Sequence, residues 1–409
     1  MNRRVVLTGM GIWSCLGTSL DEVRDALYEG RSGVVFSQER KDAGFRSGLC
    51  TRVPQPDLKP FLKRNQRHFM PEEAQYAYMA TKAALEHAGI DQEFIDDNEI
   101  GIIYGNDSTI EATMRAMDKF REFNDTAACG SGALFQSMNS NITMNLACLF
   151  HLKGINLTTS AACASSSQAI GLGALLVGQG LQDCVVCGGA EENNLWGMVS
   201  FDGIQAFSLR EDAPMKASRP FDRDRDGLVP GGGAATVVLE DYEYAMRRGA
   251  HIIAEIAGWG FSGNGDHIST PNIIGPTRSL QRCLKCSGID DLRAIGYVNA
   301  HATSTQAGDG PEALAIANVF GDYRVPVTST KSQTGHEMWM AGASELIYST
   351  LMMKNGFIAG NINFENPDEN TAKINVIPET IERKFDMFVE NSFGFGGTNS
   401  TLLVKDFKG

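Results

Sequence analysis

The chain is 409 residues long, 43% hydrophobic and 21% charged, with a net charge of −13. That balance supports a large buried core and argues against bulk disorder and general nucleic-acid binding. No run reaches the ~18 consecutive apolar residues of a membrane span, and nine cysteines, an odd number without an export signal, fit a reducing, cytoplasmic setting.

Arg3-Arg4 followed by Val5 to Trp13 loosely mimics a secretory signal. Gly9 and Gly11 interrupt it and no small-residue cleavage site follows, so the expectation is a first strand ending in a glycine turn. Ser19, Asp21 and Glu22 open a helix toward Leu27 that Gly30 ends. Lys63, Arg64, Arg67 and His68 form a basic segment, and Pro71 starts a helix running to His87. Ile100 to Tyr104 reads as a buried strand, and 105–153 is polar and then helical, with Lys119 and Arg121. Ile155 to Ser160 reads as a short buried strand, and from Ala164 the pattern turns helical through Ile170, Leu172, Leu175 and Leu176.

Cys163 stands at that join, among Ser160, Ala161, Ala162, Ala164, Ser165 and Ser166. The open N–H groups and positive dipole end of a helix favour a thiolate there, and small neighbours let a substrate approach. A buried structural cysteine is the plainer alternative. Asp183 to Cys187 is a further strand, Ser218 to Gly227 a charged loop, and Ala234 to Glu240 another strand. Two Cys-x-x-Cys pairs, Cys184/Cys187 and Cys283/Cys286, suggest zinc only weakly: the first lies in a strand, where positions three apart face opposite sides.

Alternating strands and helices predict an α/β protein with a largely parallel sheet. The plan restarts at 251, dividing the chain into 1–250 and 251–409. His251 to Gly260 is a strand ending in glycines, as Arg3 to Gly11 is. A helix around Ser279 to Cys286 follows, then strands at Ala294 to Ala300, Val325 to Thr330, Phe385 to Glu390 and Thr398 to Asp406. Three of these lead into unusual polar loops, carrying His301, then Lys331 and His336, then Asn391 to Asn399. Sites in α/β sheets gather at the carboxyl ends of strands, so a thiol, two imidazoles and an ammonium are expected to line one pocket. Each has a bland counterpart: a surface histidine, or a plain glycine turn. His336-Glu-Met-Trp-Met340 resembles H-E-x-x-H but lacks the second histidine, and no P-loop, G-x-S-x-G or dinucleotide fingerprint is present.

Together, Cys163 in TSAACASS, His301 in NAHATST, Lys331 and His336 in TKSQTGH, and GFGGTN at 394–399 resemble the elongating β-ketoacyl-[acyl-carrier-protein] synthases of the thiolase superfamily. The likeness runs the length of the chain, and the Cys163 spacing and C-terminal tail look closer to synthase I than to synthase II. It implies a five-layered αβαβα thiolase-like fold built from two similar βαβαβαββ halves in a homodimer. Acyl carrier protein is the implied partner, and no cofactor is called for.

The implied reaction is decarboxylative condensation of an acyl chain on Cys163 with malonyl-carrier protein. His301 and His336 stabilise the enolate, and Lys331 pairs with Glu312, with Asp309 nearby. Backbone N–H groups of Cys163 and Phe395 form the oxyanion hole. Thr303 and Thr305 hold pantetheine, Phe395 gates the passage between the acyl pocket and the malonyl site, Gly394 and Gly396 join it in binding substrate, and Phe201 and Ser108 wall the acyl pocket. Lys63, Arg64, Arg67, Lys119 and Arg121 resemble the carrier-docking surface. Asn299, Glu345 and Asn391 resemble residues near a structural, non-catalytic monovalent cation. Two histidines separate the chain from thiolases, which use one His and a second Cys, and from initiating synthases, which use His and Asn. A non-catalytic chain-length-factor reading fails on Cys163, and a ketosynthase of a specialised polyene or polyketide pathway is the alternative. Two departures stand out: Ala302 replaces a common glycine, and Glu337-Met-Trp-Met340 replaces a small, glycine-containing run.

Overall fold

The computed structural model describes residues 3–409. Helix α1 (Leu20–Glu29) starts where the Ser19 side chain accepts from the Glu22 N–H, and it ends at Gly30 in the left-handed region, φ 68°. The other helices that frame the site are α2 (Glu72–His87), α3 (Glu111–Phe123), α4 (Asn141–Phe150), α5 (Ser165–Gly178), α6 (Ile274–Ser287), α7 (Asp309–Phe320) and α8 (Ala341–Asn355).

Eleven strands form one continuous sheet. They are β1 (Val5–Trp13), β2 (Ile100–Gly105), β3 (Asn156–Thr159), β4 (Cys184–Glu191), β5 (Gly233–Asp241), β6 (Ala254–Gly263), β7 (Tyr297–Asn299), β8 (Pro326–Thr328), β9 (Asn375–Val376), β10 (Met387–Gly394) and β11 (Thr398–Asp406). Their order is β9-β8-β7-β10-β11-β6-β1-β5-β4-β2-β3. Read outward from the β6/β1 seam, each side has the same plan of two antiparallel pairings and then two parallel ones, with a third parallel pairing, β8 to β9, at one edge. The seam itself is short, pairing only Val6 with Glu255 and Leu7 with Ala254.

The sheet is therefore not largely parallel, as the sequence suggested. Every contact among β10, β11, β6, β1, β5 and β4 is antiparallel. A second expectation also changes: β3 is not buried, because it lies at the sheet edge with Asn156 and Leu157 exposed.

Alternation along the strands divides the core into three. Val185, Cys187, Val237 and Leu239 face inward with Phe388, Leu402 and Val404, and α5 and α8 fill the space between. Cys184, Val186 and Val238 face outward against α2 and α4. Val298, Val389 and Leu403 face the other way against α6 and α7. Helix, sheet, helix, sheet, helix is the five-layered thiolase-like arrangement. α5 is rich in Ser, Ala and Gly and buried nearly all round, which lets it lie against both half-sheets.

Candidate active site

Cys163 lies in a single 3-10 turn, Ala162–Ala164, that runs straight into α5. The turn is sharp enough to hold Ala162 at φ 47°, a strained conformation for a residue with a Cβ. Small side chains signal the turn in the sequence, but the strain itself is a tertiary product. On the other half, Gly394 ends β10 so close that an added Cβ would sit 3.0 Å from the Cys163 nitrogen and 2.9 Å from the Ala161 carbonyl oxygen. The glycine loop and the cysteine turn are thus in direct backbone contact.

His336 Nε2 lies 3.1 Å from Cys163 Sγ. The His301 and His336 rings stand 5.3 Å apart and nearly perpendicular. One ligand-type atom from each of the three side chains falls within 4.8 Å of the others. All three side chains are buried. Burial, Lys331 and, for His301, the neighbouring His336 hold both imidazoles well below their ordinary range, so both are neutral. Neither Nδ1 has a hydrogen-bond partner. A buried orphan lone pair is tolerated better than a buried orphan N–H, so the proton belongs on Nε2 in each ring. Burial pushes the Cys163 thiol up to about 12, against the pull of Lys331. Desolvation therefore outweighs the helix-terminus effect that the sequence suggested, and the resting group is the thiol.

The loop carrying His301 is held by carboxylates. Glu312 accepts from the His301 and Ala302 N–H groups at 2.9 and 2.7 Å, and from Asn391 Nδ2. Asp309 accepts from the Thr303, Thr305 and Phe221 N–H groups. Lys331 does not pair with Glu312: its ammonium is bonded to Glu345, with both groups almost fully buried. Glu312 is already committed to the loop backbone, which is why the expected pair does not form. A cavity of about 360 Å³ opens over this group, lined by Cys163, His301, His336, Thr303, Thr305, Phe201, Gly394 and Phe395. Phe395 is exposed and lies nearly parallel to Phe201, with centroids 6.5 Å apart.

Two family models cover most of the chain: "Beta-ketoacyl synthase, N-terminal domain" matches residues 2–245, and "Beta-ketoacyl synthase, C-terminal domain" matches 253–365. The chain belongs to the β-ketoacyl synthase family. It is 39% identical to 3-oxoacyl-[acyl-carrier-protein] synthase 1 of Escherichia coli, over 99% of this chain and 100% of that one. It is 38% identical to the synthase 1 of Haemophilus influenzae, over the whole of both chains. The crystal structure of a β-ketoacyl synthase from Burkholderia phymatum superposes with a TM-score of 0.94 at 36% identity, covering 99% of this chain and 100% of that one.

The remaining candidates of this ketosynthase spread more widely. Gly396, at φ 74°, turns the loop and donates its N–H to the Ile268 carbonyl, and it does not line the cavity. Ser108 is half-buried and also absent from the cavity wall. Lys63 and Arg64 are exposed, and Arg64 and Arg67 line a surface groove with His68 and Phe69. Lys119 and Arg121 are exposed on α3, where Arg121 meets Asp118 at 3.4 Å. Asn299 Oδ1 and Glu345 Oε2 are buried without partners, which fits a small monovalent cation. The Asn391 side chain is already satisfied by Glu312 and Thr401, so it does not fit that role. Cys184 and Cys187 are buried on one strand while Cys286 is exposed, and all nine cysteines are free. No helix among the described residues is long and apolar enough to cross a membrane.

Proposed function

We propose that the protein condenses a Cys163-bound acyl chain with malonyl-[acyl-carrier-protein], releasing carbon dioxide and 3-oxoacyl-carrier protein, in fatty-acid chain elongation. The observation that carries this is Cys163 Sγ at 3.1 Å from His336 Nε2 with His301 alongside, in a chain that matches synthases of this name over its full length.

Sγ attacks the thioester of the acyl-carrier protein. The Sγ–C bond forms, the carrier's S–C bond breaks, and the thiol proton ends on the leaving carrier sulfur. The His336 Nε2–H and the Lys331 charge both favour the developing thiolate. Malonyl-carrier protein follows, with Thr303 and Thr305 placed along its pantetheine arm. Loss of carbon dioxide leaves an enolate whose oxygen accepts from Nε2–H of His301 and His336. Its carbon attacks the Cys163 thioester, and the N–H groups of Cys163 and Phe395 hold the oxyanion until the Sγ–C bond breaks. Lys331 is a positioning residue, buried on Glu345. Glu312 and Asp309 act likewise through the backbone they hold.

The halves 1–250 and 251–409 then contribute the nucleophile and the decarboxylating groups respectively. A homodimer is supported by exposed Leu157 on the edge strand and by exposed Met117, Leu134, Phe135 and Met138 on the nearby segments. Phe201, and Ser108 beyond it, are the proposed wall of the acyl pocket. Lys63, Arg64, Arg67, Lys119 and Arg121 are the proposed docking patch, and nine free thiols suit the cytoplasm. Cys163→Ala should abolish condensation while leaving malonyl decarboxylation measurable. Full condensation by that variant would overturn the assignment.

A further inference from the structure

The run after His336, Glu337-Met-Trp-Met340, is bulky, and Trp339 is its largest member. It lies in the 3-10 turn Met338–Met340, packed against the turn that carries Cys163. It belongs to an apolar cluster with Met198, Phe207 and Leu228, against which Ala162, Phe201 and Ala206 pack. Phe201, Ala206 and Leu228 also line the substrate cavity. The indole ring is 6.1 Å from the Phe201 ring, so it stands one ring behind the cavity wall. An indole buries on the order of 150–250 Å², and this one is 5% exposed.

The Trp339 Nε1–H is buried and has no hydrogen-bond partner. A buried indole ordinarily finds one, and leaving a donor unpaired in an apolar cluster costs the full desolvation of that group. Glu191 Oε2 is likewise buried and unpartnered. The region behind Phe201 is therefore apolar in bulk yet holds unused polar atoms.

We propose that Trp339 is a specificity residue whose indole N–H receives an oxygen carried by the acyl chain, a keto or hydroxyl group, once Phe201 turns aside. This rests on Cys163 being the acyl carrier. A site that supplies a buried donor favours the ligand bearing the matching acceptor and disfavours the analogue lacking it. Oxygenated acyl chains should then be loaded and elongated in preference to fully reduced chains of equal length, by about tenfold to a hundredfold.

The test uses the full-length enzyme and matched acyl-carrier proteins of one chain length: saturated, or bearing a keto or hydroxyl group at C3, C5 or C7. Cys163 acylation is read by intact mass, and condensation by kcat/KM. The wild type should prefer at least one oxygenated donor. Trp339→Phe keeps a ring and removes the N–H, so its ratio of oxygenated to saturated kcat/KM should fall to about one. A wild type indifferent to the oxygen, a measurement that needs no variant, would overturn the inference, as would a Trp339→Phe enzyme that keeps the preference. Failure of every donor to acylate Cys163 would instead overturn the reading on which it rests.

Discussion

Gly394→Ala isolates the contact between the two catalytic loops. Gly394 sits at φ −106°, ψ 166°, where alanine is at ease, so the perturbation is purely steric. The new Cβ would lie 2.9 Å from the Ala161 oxygen and 3.0 Å from both Ala162 Cβ and the Cys163 nitrogen. Ordinary contact starts near 3.4 Å, so the glycine loop must withdraw by roughly 0.5 Å from the cysteine turn to restore van der Waals separation. All three neighbours are backbone or a Cβ and cannot swing away. Overpacking of this kind costs about 1–3 kcal/mol of stability. The larger effect falls on catalysis, because the Phe395 N–H moves away from the oxyanion it is proposed to hold, and loss of one such donor costs ~10²–10³ in kcat. The assay is acylation of Cys163 by acyl-carrier protein beside decarboxylation of malonyl-carrier protein. Acylation and condensation should fall at least ~10²-fold, with decarboxylation reduced far less, since it draws on His301 and His336. Wild-type acylation in a folded Gly394→Ala enzyme would refute the oxyanion-hole geometry.

Three further outcomes follow from the same geometry. His301→Ala and His336→Ala should each lower decarboxylation by ~10²-fold, more than they lower acyl transfer; normal decarboxylation by either would remove the two-donor model. Burial holds Glu337 at about 8, so the folded state keeps a proton that the unfolded state has lost, and stability falls as pH rises from ~4.5 through that value. Glu337→Gln cannot ionise, so its Tm relative to wild type should climb between pH 5 and 9, and a constant difference would contradict the assignment. Lys63→Glu with Arg67→Glu should raise KM for carrier-bound substrates about tenfold at low salt and less at high salt, and barely affect a small pantetheine thioester. Equal losses on both would place the damage in the fold or the active site.

That Cys163, His301 and Phe395 share one candidate site was legible because their neighbours are chemically unusual at strand ends: small residues around Cys163, hydroxyls after His301, glycines around Phe395. Strand pairing was less legible. Whether β4 meets β5 parallel or antiparallel depends on chain direction across the fold, and no local pattern carries it. The Lys331 partner was misread because several carboxylates lie within reach, and only the structure shows Glu312 already bound to the His301 loop. The charged run Ser218 to Gly227 gave no sign of its burial. Arg219 and Arg225 are in fact 3% exposed, and Arg225 meets Asp309 at 3.7 Å and Asp368 at 2.8 Å, bracing the site from below. The strain at Ala162 and the unpartnered Trp339 N–H are likewise products of packing.

The most direct measurement is the mass of the enzyme after incubation with acyl-carrier protein alone, followed by peptide mapping and then a chase with malonyl-carrier protein. The account predicts one acyl group per chain, on the peptide bearing Cys163, discharged on the chase as 3-oxoacyl-carrier protein with one carbon dioxide for each product. Product formed without that adduct, or an adduct on any other cysteine that the chase discharges, would contradict it.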